Sequence, residues 1–170
     1  MGPWMNLGAD VFIQHVTPRR YRPGLGLRPG EPSHPVAHLV PVLYAAMYES
    51  IAAHSRAGLN VVVDVGHHDA KILSECARRL AGLPVLFVGV RCPIEVIRER
   101  RIQTGWASPA LEDPIPPPVL RWQSEVHRHG IYDVEVDTSL LSPEQCAETI
   151  RTRLRGGPPP SAFRQLAEGA

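Results

Sequence analysis

The sequence has little lysine and little cysteine, and both shortages limit the function classes open to it. It has one lysine, Lys71, and its other cationic side chains at neutral pH are arginines. Its three widely spaced cysteines form no CxxC pair, which argues against a disulfide framework or a zinc site and favours a reduced, cytoplasmic setting. No apolar run reaches the length of a membrane span, and the N-terminus lacks a signal-peptide pattern. With a net charge of only +1, we expect no binding of nucleic acid or of a membrane surface.

The hydrophobic pattern predicts strands that alternate with helices along the 170 residues. Strands are expected at residues 3–8, 60–65, 84–91 and 132–137. Helices are expected at residues 9–16, 36–57, 69–81, 92–104, 119–129 and 143–154. This alternation is typical of parallel strands joined by right-handed crossovers, with helices on both faces of the sheet. We expect one α/β domain over residues 1–155 and a flexible tail over residues 156–170.

Two stretches rich in proline interrupt this pattern. Residues 17–35 contain GLGLRPG, which invites comparison with a phosphate-binding loop. No Lys–Ser/Thr pair follows it, no strand precedes it, and its prolines remove backbone donors, so a loop that covers a substrate is the better interpretation. Residues 105–118 read as a flexible or polyproline-like segment.

Two aspartates stand where α/β proteins place functional groups. Asp64 follows the run NVVV, which predicts a strand buried on both faces and puts its carboxylate at the end of the sheet that binds ligands. Asp10 lies at the first junction between strand and helix. Each has a plainer interpretation, Asp64 as a cap of its strand and Asp10 as an acid in the first turn of a helix. The cluster His67–Asp69 has no third ligand at a recognised spacing, so we expect a solvated loop rather than a zinc site.

Several stretches together resemble the chloramphenicol phosphotransferase-like family of P-loop kinases. PWMNLGAD is similar to the family's second strand and the aspartate after it, and NVVVD to its Walker-B-like strand. VLFVGVRCPIEV is similar to the strand and helix that lead into the lid, and VHRHGIYDVEVDTS to the closing helix, strand and turn. The resemblance implies a three-layer, P-loop-kinase-like parallel sheet with helices on both faces.

The resemblance also implies a reaction, the transfer of the γ-phosphoryl group of ATP to the hydroxyl of a small molecule. Asp10 matches the catalytic aspartate that accepts the hydroxyl proton, and Asp64 matches the acid that orients Mg²⁺ through water. Arg98 and Arg101 are the candidates for neutralising charge on the phosphates. The lid sequence RERRIQTGW departs from the family's pattern, and the same arginines, with Arg100, also suit a solvated helix face.

The first strand, the GxxxxGK[ST] loop and the first helix of a P-loop kinase have no counterpart in these residues. The first strand is central in the family's sheet, so we expect the strands at residues 60–65 and 84–91 to lack the neighbour between them. One explanation is that the natural start lies upstream of Met1 and the loop is encoded there. The other is a non-catalytic binding or interaction protein derived from such a kinase. We expect the first, because Asp10 and Asp64 are both present, and we expect the chain as written to be inactive.

Overall fold

The computed structural model describes residues 3–21, 35, 37–105, 115 and 117–168, and the two proline-rich stretches lie largely outside these ranges. Two compact units divide the chain. Met1–Leu83 and Phe163–Ala170 form the first unit, and Pro84–Ala162 form the second.

The first unit is built on a pair of parallel strands, β1 (Trp4–Asn6) and β2 (Asn60–Val62). Its helices are α1 (Ala9–Val11), which continues into a π-helical turn at Phe12–Val16, then α2 (Val40–Arg56) and α3 (Ala70–Arg79), with 3₁₀ turns at Arg19–Tyr21 and Ala37–Leu39. Helix α2 follows the three-four spacing of its apolar residues. Two residues after its last residue, Gly58 turns the chain with a φ of +85°, which suits glycine. The buried residues of α2 and α3 supply most of the core: Val40, Tyr44, Met47, Tyr48, Ile51, Ala52, Leu73, Cys76 and Ala77.

The second unit contains the other parallel pair, β3 (Val88–Arg91) and β4 (Val134–Asp137). Its helices are α4 (Ile94–Gln103), α5 (Pro117–Glu125) and α6 (Pro143–Gly156), and α6 begins with a capping box formed by Ser142 and Gln145. The Asp133 carboxylate accepts hydrogen bonds from the backbone amides of Phe87, Ser161 and Ala162 at 2.9, 2.7 and 3.1 Å. It thereby ties the entry of β3 to the end of the unit.

The fold class is confirmed as mixed α/β with parallel strand pairs, and all four predicted strands are present. The pairs β1–β2 and β3–β4 are separate sheets within the described residues, so β2 and β3 share no hydrogen-bonded neighbour there. The expected loss of a central strand stays a prediction. The three-layer arrangement stays a prediction.

The sequence predicted that the strand containing NVVV is buried on both faces, and this prediction was wrong. Val62 is 52% exposed, and the strand itself ends at that residue rather than at Val65. The physical reason is that β2 pairs on one edge only within the described residues, so nothing in the first unit's sheet extends past it to support helices on both faces.

Helix α7 (Ala162–Glu168) lies within the stretch expected to be a flexible tail. Its residues Ala162 and Leu166 are buried, at helical spacing. The flexibility of the tail stays a prediction. Among the described residues, every helix is too short or too polar to cross a bilayer.

Candidate active site

The carboxyl ends of β1 and β2 bring the two predicted acids to the same edge of the sheet. The parallel pairing continues past both strands, because the Leu7 amide donates to the Val62 carbonyl at 3.0 Å and the Ala9 amide donates to the Asp64 carbonyl at 2.8 Å. Asp10 is the next residue after Ala9. The main chains that carry the two carboxylates are therefore joined by a hydrogen bond, although Asp10 and Asp64 are far apart in sequence.

Gly8 makes this close approach possible. A Cβ atom at this position would lie 3.0 Å from the Asp64 carbonyl oxygen and 3.1 Å from its amide nitrogen. Both are backbone atoms within a hydrogen-bonded segment, so neither can move away easily. The sequence shows that a glycine precedes Asp10, but only the structure shows that Gly8 contacts the Asp64 segment.

Both acidic side chains are exposed, and neither makes a hydrogen bond or ion pair among the described residues. The residue that caps α1 is Gly8, so Asp10 lies in the first turn without being the cap. Burial, followed by the charge of Asp10, raises the pKa of Tyr44 to about 12, so the Tyr44 hydroxyl stays protonated. The arrangement leaves both carboxylates open to bind a ligand or to accept a proton.

A small apolar depression lies beside α1, lined by Ala9, Phe12, Ile13, Leu43, Tyr44 and Met47. Its volume is about 10 Å³, close to the least that a single water requires. The depression is therefore a shallow apolar surface rather than a preformed cavity.

The loop that carries Asp64 is held from inside the unit. His67 is 6% exposed, and its Nε2 lies 2.9 Å from the hydroxyl oxygen of Tyr48, a residue of α2 with no exposed surface. Two residues further on, the Asp69 carboxylate caps α3 by accepting from the Lys71 amide at 2.7 Å. The prediction of a solvated loop was wrong for His67, because its polar ring has a buried partner that local sequence cannot reveal.

The described residues contain no group of three or more His, Cys, Asp or Glu side chains placed to hold a metal. The sequence-based preference against a zinc site at His67–Asp69 stays a prediction. The Lys71 side chain is exposed at the first turn of α3, outside any glycine-rich loop.

The second unit holds the arginines of the predicted lid. Arg98 and Arg101 lie in α4, and their role toward Asp10 and Asp64 stays a prediction. Arg100 contacts the strand ends instead: it donates to the Thr138 hydroxyl at 3.0 Å, to the Thr138 carbonyl, and to the Cys92 thiol at 3.6 Å. The resemblance did not single out Arg100, and a run of arginines on one helix gives no signal for which of them turns toward the strands.

The second unit also has a cavity of about 420 Å³ with a mixed polar lining. Arg91 donates through Nε to Glu135 at 2.8 Å, and His127 Nδ1 lies 2.6 Å from the Tyr132 hydroxyl. Partial burial, and then the charge of Arg91, lower the pKa of His127 below its usual value, so that its imidazole is neutral at pH 7. Of the charged residues that line the cavity, Arg91 pairs with Glu135, Arg128 pairs with Glu125, and the Asp137 carboxylate accepts from the amide and hydroxyl of Ser139.

The chain belongs to the chloramphenicol phosphotransferase-like protein family, whose model matches residues 1–155. This confirms the family that the sequence motifs suggested. Comparisons with curated proteins and with solved structures gave no match.

Proposed function

We propose that this chain is the acid-bearing part of an ATP-dependent O-phosphotransferase that acts on the hydroxyl group of a small molecule. The observation that carries the proposal is the pairing of β1 and β2, which joins the Asp10 and Asp64 segments through the Ala9–Asp64 hydrogen bond of 2.8 Å. Membership of the family supports a phosphotransferase of the kinase type.

In this reaction Asp10 accepts the proton of the substrate hydroxyl as its oxygen attacks the γ-phosphorus. A new oxygen–phosphorus bond forms, the bond from the γ-phosphorus to the bridging oxygen breaks, and ADP leaves with that oxygen. An exposed carboxylate that makes no hydrogen bond or ion pair among the described residues can take up this proton. Arg98 and Arg101 would neutralise charge on the phosphates.

Asp64 is the residue that would hold Mg²⁺, through water. A lone exposed carboxylate fits this cation, which binds few carboxylates directly and takes its other ligands from water and substrate phosphates. When bound, the ion would neutralise charge on the β- and γ-phosphates and hold them in place.

The phosphate-binding loop is proposed to come from a segment outside these 170 residues, because they contain no GxxxxGK[ST] sequence. The second edge of β2, which is unpaired within the described part of the chain, supports this: Asn60 and Val62 bond to the β1 side, so the backbone groups of Val61 and Val63 face the other edge. One further parallel strand on that edge would satisfy these groups and cover exposed valine surface.

The alternative is a binding or interaction protein derived from such a kinase. The observation in its favour is that the only lysine, Lys71, lies on an exposed helix turn and cannot supply the phosphate contact of a P-loop.

The experiment compares the 170-residue chain with a protein extended in frame upstream of Met1, by ATP turnover over a panel of hydroxyl compounds. We expect turnover only in the extended protein and a fall in kcat of about 10²–10⁴ in its D10N variant. Asp69→Asn is the matched control, since asparagine also caps a helix and should leave turnover unchanged. An extended protein that neither binds ATP nor transfers phosphate would refute the kinase function, and tight binding of Mg·ATP by the shorter chain would refute the need for a further loop.

A further inference from the structure

A buried tyrosine–histidine pair connects the loop that carries Asp64 to helix α2. Tyr48 has no exposed surface, His67 is 6% exposed, and the Tyr48 hydroxyl lies 2.9 Å from His67 Nε2. The Tyr44 ring packs against both of their rings, at centroid distances of 5.9 and 6.3 Å. The pair is therefore enclosed by the core of the first unit.

The chemistry of the pair makes it a fixed connection. Burial, and then the neighbouring Cys76 and Tyr44, raise the pKa of Tyr48 well above its ordinary value, so its hydroxyl remains a donor at every physiological pH. Burial also raises the pKa of Cys76 to about 12, so this neighbour stays a neutral thiol. The Tyr48 hydroxyl also makes a hydrogen bond with the Cys76 thiol, and the tautomer of His67 decides whether Nε2 accepts from the hydroxyl or donates to it.

The position of His67 links this connection to the site. The segment from Val63 to His68 has no helical or strand structure of its own. It is held at one end by the Ala9–Asp64 hydrogen bond and at the other by the cap that Asp69 gives to α3. His67 is the buried attachment between these two points, three residues beyond Asp64.

We propose that Tyr48 and His67 are positioning residues that hold the loop so that the Asp64 carboxylate faces the cation-binding position. This inference rests on the proposed phosphotransferase function. Neither residue touches substrate or metal, and they act through the backbone of the loop. Partners that orient a ligating side chain in this way commonly change metal affinity or activity by about 10–100-fold when they are removed.

The test uses Tyr48→Phe, which keeps the ring and removes only the hydroxyl, and His67→Gln, whose amide can restore a hydrogen bond to Tyr48. Tyr132→Phe is the matched control, since it breaks another tyrosine–histidine hydrogen bond, of 2.6 Å, in the second unit. In the extended protein, we expect Y48F to raise the Mg²⁺ concentration for half-maximal turnover by about tenfold or more. H67Q should show a smaller rise than Y48F, because its amide can still bond to Tyr48, and Y132F should show no rise. The KM for the hydroxyl substrate should stay the same in all three.

A second readout does not depend on turnover. Hydrogen exchange of the Ala9 amide reports on its bond to the Asp64 carbonyl, and its protection in the 170-residue chain should fall about tenfold in Y48F and stay unchanged in Y132F. Lost protection with an unchanged Mg²⁺ requirement would overturn the role in catalysis, and unchanged protection in both Y48F and H67Q would overturn the attachment itself. If the extended wild-type protein is inert, the phosphotransferase function fails, while the exchange result still decides whether the pair holds the loop. If Y48F does not fold, the comparison of H67Q with wild type decides both points.

Discussion

Replacing Gly8 by alanine tests the contact that brings Asp10 and Asp64 together. The backbone of Gly8 has a φ of −59°, which alanine adopts readily, so the substitution introduces no conformational strain. What it introduces is a methyl group at 3.0–3.2 Å from three atoms of Asp64, including its carbonyl oxygen and amide nitrogen. These distances are shorter than ordinary van der Waals contacts.

The expected loss of stability is the difference between two terms. Extra volume in a packed site costs about 1–3 kcal/mol of unfolding free energy. Against this, a glycine-to-alanine change restricts the unfolded chain and stabilises the fold by about 0.4–1 kcal/mol. Because the crowded atoms are backbone, the first term should prevail, and we expect G8A to be less stable by about 1–2 kcal/mol.

The measurement is urea-induced unfolding of G8A beside Gly156→Ala. Gly156 ends helix α6 with open space around its Cβ position, so this control should be more stable than wild type by up to about 1 kcal/mol. The two substitutions are chemically identical and are expected to act in opposite directions. If G8A proved as stable as wild type or more so, the close approach of Gly8 to Asp64 would be refuted.

Two further predictions concern the second unit. Asp133→Ala removes the acceptor of three backbone amides and should lower the free energy of unfolding by about 2–4 kcal/mol, and D133N by less, because one oxygen remains; urea titrations in which D133A matched wild type would contradict the structure. Burial lowers the pKa values of His127 and His129 in the folded state, so the unfolded chain takes up protons first as pH falls. The contribution of these two residues to stability should therefore be present above the unfolded pKa of about 6.5 and be lost as pH falls below it, and unfolding midpoints in H127Q and H129Q that depend on pH as steeply as in wild type would contradict this.

The periodicity of the sequence was enough to locate the strands but not to bound or bury them. NVVV and PVLFVGVR predict strands, and β2 and β3 lie within them. Burial, however, depends on which elements lie beside a strand, and Val62 and Val90 are 52% and 55% exposed because their strands pair on one edge within the described residues. The apolar residues of a segment therefore show which side chains could be buried, and the neighbouring elements determine which of them are buried.

Some residues of the candidate site could be predicted from the sequence, and others could not. Asp64 could be selected because it follows a strand, a property of local sequence, whereas Asp10 was selected through the family resemblance. The roles of Gly8, Tyr48 and His67 could not, because each depends on a contact with a residue far along the chain. Tyr48 had the spacing of an ordinary core residue of α2, and nothing in that spacing indicates that its hydroxyl meets the loop beyond β2.

The acids themselves provide a last test, because stability gives no reason for carboxylates at these two positions. Asp10 and Asp64 are exposed and make no hydrogen bond or ion pair among the described residues, so D10N and D64N should each change the free energy of unfolding by no more than about 0.5 kcal/mol. The same substitutions should remove turnover in the extended protein if the acids take the proton and orient Mg²⁺. Urea titrations of both variants, beside turnover, separate the two properties. A loss of about 2 kcal/mol or more in either variant would show that the carboxylate holds the fold together, and its exposure would then no longer argue for a role in catalysis.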